Sequence, residues 1–229
     1  MLALQPLLAQ VLLLLVQQLH NTRARQRLRL LRTLGLWWAQ LLNNVISIFE
    51  SGAAAAGAGS FESIATYSLS SAQSSVTFSS IPQTYKHLQV RGIAIKDFST
   101  GTVALASTFN GVSGSSYTNH QLYGNGTSAG ADGNATGTYS NMPYLGLVGN
   151  ASSGAFGAFV IDILDYTDTN KYTTVRSLNG LDVNGSGQVQ LVSSLFTSTN
   201  AITSITFFTY ATGNLGAYSH FALYGIKGA

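Results

Sequence analysis

The sequence predicts a mainly β protein: a jelly-roll-like antiparallel β-sandwich over residues 61–229, preceded by an α-helical N-terminal arm over 1–50 and an Ala/Gly linker over 51–60. Three observations lead there. From residue 61 apolar residues alternate with Ser, Thr and Asn at a period of two, the pattern of strands with one buried face. Asn-Gly and other Gly-rich clusters interrupt that pattern at short intervals, as turns between strands do. Before residue 51 the chain is instead Leu-rich with few β-branched residues, and Ser51-Gly-Ala-Ala-Ala-Ala-Gly-Ala-Gly-Ser60 separates the two regimes.

The arm has two pieces. Residues 2–19 are dominated by Leu and Val, with Pro6 tolerable in a first helical turn. Gln5, Gln10, Gln17 and Gln18 break the apolar run, which falls short of the roughly 20 residues of a spanning helix. The second piece starts at a polar cap, Asn21 or Thr22. From there Leu31, Leu34, Trp38, Leu41, Val45 and Ile48 follow heptad spacing and form a predicted oligomer seam. Leu30, Trp37, Leu42, Ile46 and Phe49 widen that stripe beyond a two-stranded seam, so a bundle of three or more helices, or packing against residues 2–19, suits it better.

Charge sits in the same arm. Charged residues are 8% of the chain against roughly 25% in an average protein, and the formal net charge is +3. Arg23, Arg25, Arg27, Arg29 and Arg32 against Glu50 give residues 1–50 a charge of +4, while residues 51–229 carry −1. The five Arg read either as a solvated neck between apolar helices or as an anchoring contact to an acidic surface. No aromatic residue is interleaved among them, which disfavours nucleic acid.

Candidate strands follow at 62–69, 74–79, 87–95, 103–109, 117–123, 143–149, 155–164, 171–177, 187–194, 204–210 and 219–226. Turn chemistry lies at Asn110-Gly111, Gly124-Asn-Gly126, Asn179-Gly180 and Asn184-Gly185. Residues 124–141 show no strand pattern and are expected to form a surface excursion, with Tyr117, His120 and Tyr123 beside it as a candidate receptor contact.

No catalytic constellation is evident. The four His (20, 87, 120 and 220) show no metal spacing, and no HExxH or G-x-S-x-G motif occurs. Cysteine is absent, so there is no disulfide framework, thiolate zinc site or Cys nucleophile. Gly124-Asn-Gly126-Thr-Ser-Ala129 matches a phosphate-loop pattern, but no helix follows it, so it reads as a turn. Asp162, Asp165 and Asp168 could supply oxygens to Ca²⁺. Spacing of three on a strand sends neighbouring acids to opposite faces, and a turn cap before Lys171 is the favoured reading. No catalytic residue, cofactor or metal is expected.

The β region resembles a recurrent structural protein of tailed-bacteriophage virions. The residues that carry the resemblance are Phe61-Glu-Ser-Ile-Ala-Thr66, Ser75-Val-Thr-Phe-Ser-Ser-Ile-Pro82, Tyr85-Lys-His-Leu-Gln-Val-Arg-Gly92, Phe109-Asn-Gly-Val-Ser-Gly-Ser-Ser-Tyr117, His120-Gln-Leu-Tyr-Gly-Asn-Gly126, Asp165-Tyr-Thr-Asp-Thr-Asn-Lys-Tyr172, Asn200-Ala-Ile-Thr-Ser-Ile205 and Phe221-Ala-Leu-Tyr-Gly-Ile-Lys-Gly228. Such domains occur as tail-fibre, minor tail and capsid-decorating proteins, and the resemblance implies no enzymatic activity. The arm at 1–50 lies outside it.

The expectation is a non-enzymatic virion protein, assembled in the host cytoplasm: a homo-oligomer, taken as a trimer, anchored among other virion proteins by its arm. Its β head would face outward for host attachment. Two alternatives stand beside it: a carbohydrate- or receptor-binding module contacting a host surface glycan, and a membrane-active protein inserting through residues 2–19.

Overall fold

A computed structural model describes residues 10, 12–15, 17–18, 59–98, 101, 103–139, 141–210 and 213–228, with the backbone alone for 134–139. The chain divides into two units, Met1–Gly59 and Ser60–Ala229. In the first, residues 10, 12–15 and 17–18 are helical, and Leu12–Leu15 are at least half exposed. Among the described residues no helix is long and apolar enough to cross a membrane.

The second unit is mainly β. Its strands are β1 (Phe61–Ser68), β2 (Val76–Phe78), β3 (His87–Lys96), β4 (Val103–Phe109), β5 (Tyr117–Gly124), β6 (Ala129–Tyr139), β7 (Met142–Asn150), β8 (Gly157–Leu164), β9 (Thr173–Asp182), β10 (Gly187–Phe196), β11 (Ile205–Thr209) and β12 (His220–Ile226). They form one mixed sheet built from two antiparallel ladders. One runs β1-β12-β3-β8-β9-β10-β5-β6 and the other β2-β11-β4-β7. A two-residue parallel pairing joins them, with Ile95 opposite Gly149 and Lys96 opposite Asn150.

Alternation explains most of the strands. In β8, Phe159, Ile161 and Ile163 are buried while Ala158 and Val160 are exposed, and β9 repeats the pattern. The buried residues of both ladders meet in one core. Phe207 of β11 stacks on Phe221 of β12 at 5.6 Å between ring centres, and Phe221 in turn touches Phe159 of β8 at 5.4 Å. β7 is apolar on both sides because it is buried almost throughout.

Two sequence expectations fail here. Residues 129–139 are not a loop but strand β6, paired with β5 from Ala129 to Asn134 and again at Tyr139 after a register shift. Its Gly/Ala/Asn-rich side chains carry no pattern; the turn before it sets the pairing. Asn125 Oδ1 accepts the backbone N–H groups of Thr127 (3.1 Å) and Ser128 (2.8 Å), which closes the hairpin. Asn179-Gly180 is likewise not a turn. It lies inside β9, where buried Asn179 donates its side-chain amide to the Tyr144 carbonyl (3.2 Å). The Asn-Gly pairs at 110–111 and 184–185 work as read, and Asn110 (φ 53°) and Gly111 (φ 66°) are both left-handed. Asn184 (φ 56°) and Gly185 (φ 98°) take the left-handed conformations of a tight hairpin between β9 and β10.

The turn after β8 holds an ion cluster. Asp165 adopts φ 50°, and its carboxylate meets Lys171 and, at 3.0 Å, Lys86. The Lys171 and then the Lys86 ammonium draw its pKa down to about 2. Lowered in the fold, it contributes stability above the ordinary carboxyl pKa, and that contribution is lost as pH falls from about 4 toward 2. Asp165→Asn keeps a residue type that tolerates this conformation. In acid titrations followed by circular dichroism, wild type is expected to lose stability more steeply than Asp165→Asn over that window. Parallel curves would show that the cluster contributes nothing.

Candidate functional site

The predicted site residues do not converge. The seam (Leu31, Leu34, Trp38, Leu41, Val45, Ile48) and the five Arg (23, 25, 27, 29, 32) lie outside the described residues. Tyr117 is fully buried and cannot touch a receptor. Its hydroxyl accepts the Phe109 N–H (3.0 Å) and donates to the Val112 carbonyl (3.0 Å), and its ring stacks on Phe196 at 5.1 Å. Burial pushes its phenol pKa up. Tyr123 is half-buried on that same face of β5, while exposed His120 points to the other, because residues three apart on a strand alternate. The His120 ring packs beside Gly133 of β6, where any Cβ would run into it.

The acids of the β8–β9 region also separate. Asp162 faces outward from β8, Asp165 is held by two lysines, and Asp168 Oδ1 accepts the Asn170 N–H at 2.9 Å as a turn cap. Lysine ammonium groups already neutralise the Asp165 carboxylate. Among the described residues no cluster of three or more His, Asp or Glu is placed to hold a metal ion.

What the sheet does assemble is an outward face that the sequence reading missed. The register of the long ladder lines up one residue from each strand: Arg91 opposite Val160, Val160 opposite Leu178, Leu178 opposite Leu191, Leu191 opposite Leu122, and Leu122 opposite Ala131. This row runs straight across β3, β8, β9, β10, β5 and β6. Its three leucines are 54–60% exposed, and Val160 is 37% exposed. With Val189 and Ile93 beside it, the row leaves on the order of 500 Å² of apolar surface, at the upper end of what a monomer ordinarily shows.

Two further rows flank it. On one side Gln89, Asp162, Arg176, Ser193 and His120 stand opposite one another in turn. Gln89 donates to Asp162 (2.7 Å), Arg176 approaches the same carboxylate (3.4 Å), and Arg91 donates to Gln89. The Arg91 guanidinium also lies over the rings of Phe61 (5.1 Å) and Tyr224 (5.9 Å), drawn toward β1 and β12. On the other side Ala158, Gly180 and Gly124 form a floor of small residues, interrupted by Val189. That floor shapes a shallow depression of about 570 Å³ between Ile93, Val160, Leu178 and Val189. A neighbouring one of about 650 Å³ lies at the β5–β6 and β9–β10 turns. This face is largely apolar and nearly charge-balanced, which suits broad surface contact.

No protein-family model matches the chain, and no curated protein matches it. Among solved structures, one titled "Structure of infectious bursal disease virus Gx strain" aligns with a TM-score of 0.11 and 11% identity, over 71% of this chain and 42% of that one. The chain thus spans less than half the length of that protein, and the likeness is too slight to bear on fold or function.

Proposed function

We propose that the chain is a non-enzymatic structural subunit of a tailed-phage virion, a fibre or capsid-decoration protein that works by assembly. The observation that carries this reading is the outward apolar row Val160–Leu178–Leu191–Leu122, which a solitary particle component would leave wet. Strand order supports it at the level of fold. Take β1, β2, β3, β4, β7, β8, β11 and β12 as eight successive strands. The neighbours β1-β12-β3-β8 and β2-β11-β4-β7 then follow the strand order of the two four-stranded sheets of a jelly roll, a frequent capsid and lectin architecture, which supports that reading. The hairpins β5–β6 and β9–β10 are insertions that widen one sheet. The arm, with its predicted seam from Leu31 to Ile48 and its Arg run, serves as anchor and oligomerisation element, with a trimer as its proposed state.

Purified particles labelled with gold-conjugated antibody to this chain are expected to carry it at regular surface positions. Particles free of the chain by mass spectrometry would overturn the reading. A second reading, glycan attachment, draws on the corner where Phe61 and Tyr224 (ring centres 5.0 Å apart) adjoin Gln89 and Asp162, since sugars stack on rings and bond to amides and carboxylates. It requires glycan-array signals that Tyr224→Ala abolishes.

A further inference from the structure

The three rows on the outward face complement their own mirror order. Asp162, Arg176 and His120 stand on one side of the apolar row, and the small residues Ala158, Gly180 and Gly124 stand at the matching positions on the other, while Ser193 matches Val189 and Gln89 matches Ile93 at the margin. A twofold axis lying along the apolar row would set each leucine against its twin. It would also lay the polar row of one copy over the small row of the next. Arg176 would then cross above Gly180, and His120 above Gly124, tall residue over short.

We propose that a second copy of this chain packs face to face on this surface, with the twofold axis running along Val160, Leu178, Leu191 and Leu122. This inference rests on the reading of the chain as an assembling subunit and names the partner of that face. The charges permit it. Arg176 and Asp162 offset each other within one row, and Arg91, which would face its own twin, is drawn aside onto Phe61 and Tyr224. The size also fits. Six strands at about 4.8 Å spacing and three rows of side chains give a footprint on the order of 600 Å², close to the roughly 800 Å² per partner of a standard stable interface. Taken by itself, an isologous contact of this kind closes after two copies.

The chain has no cysteine, so single thiols report geometry directly. Packed sheets stand about 10 Å apart, so a short bis-maleimide, not a disulfide, would bridge facing thiols. In the full-length protein, Leu178→Cys and Leu191→Cys lie on the axis and are expected to link into pairs in high yield. Ser193→Cys lies off the axis and is expected to stay unlinked, and the double variant Ser193→Cys/Val189→Cys is expected to link again. Leu178→Asp should weaken pairing at least tenfold in mass photometry while leaving the circular dichroism spectrum unchanged.

Equal linking of Ser193→Cys and Leu178→Cys would overturn the proposal. So would an absence of links at both leucines in protein whose spectrum is native, or links formed on particles only to a different virion protein. Gold labelling that finds the chain on particles while the leucine thiols stay single would remove this interface and leave the virion reading standing.

Discussion

Gly157→Ala is expected to destabilise the Ser60–Ala229 unit by about 3 kcal/mol or more, near the top of what overpacking costs. A Cβ at Gly157 would fall on the Leu147 carbonyl oxygen, and one at Gly149 on the carbonyl of Ala155. Both obstacles are backbone, which cannot swing aside as a side chain can. They sit where the ends of β7 and β8 pass close together, beside the short parallel pairing that joins the two ladders. Gly154→Ala is the control. It has φ 63° and open space around its Cβ, so it should cost only the left-handed strain of about 1 kcal/mol. Urea titrations of the full-length protein give both numbers, and equal midpoints for the two variants would refute the argument.

Tyr117 supplies the second large effect. Tyr117→Ala removes a fully buried ring packed on Phe196 and edge-on to Phe109 (6.3 Å), and such deletions cost about 3–5 kcal/mol. Tyr117→Phe keeps the ring but strips a partner from the buried Phe109 N–H and the Val112 carbonyl, at about 1–3 kcal/mol. Neither change should alter any binding at the outward face, which lies on the other side of β5. A loss of surface contact with unchanged stability would restore Tyr117 to the role its neighbourhood in the sequence suggested.

The strands were legible wherever burial imposed alternation. Phe159, Ile161 and Ile163 announce β8 without help from the rest of the chain. β6 was not legible, because its Ala-Gly-Ala-Asp-Gly-Asn run pairs through backbone alone and its register comes from the Asn125 turn. Asn179-Gly180 misled for the opposite reason. Turn-forming residues sit in a strand because the Tyr144 carbonyl offers the Asn amide a partner. Tyr117, His120 and Tyr123 looked like one surface only while strand parity was ignored.

The outward row was hidden more deeply. Val160, Leu178, Leu191 and Leu122 come from four strands, and only the register brings them into line. The local hint was that Phe159-Val160-Ile161 and Leu191-Val192 are apolar at consecutive positions. On an antiparallel sheet with one face in the core, that leaves apolar residues outside.

The last strand, β12, lies between the first, β1, and β3, with Phe61 opposite Ile226 and His87 opposite Ile226 across its other edge. A chain emerging from the ribosome therefore holds β1 without its partner β12 until some 160 residues later, when β12 arrives. Pairings of such long sequence separation form slowly, since loop closure must precede any gain. The Ser60–Ala229 unit therefore closes only once β12 has left the ribosome. During that interval the open edges of β1 and β3 are available for pairing with other chains.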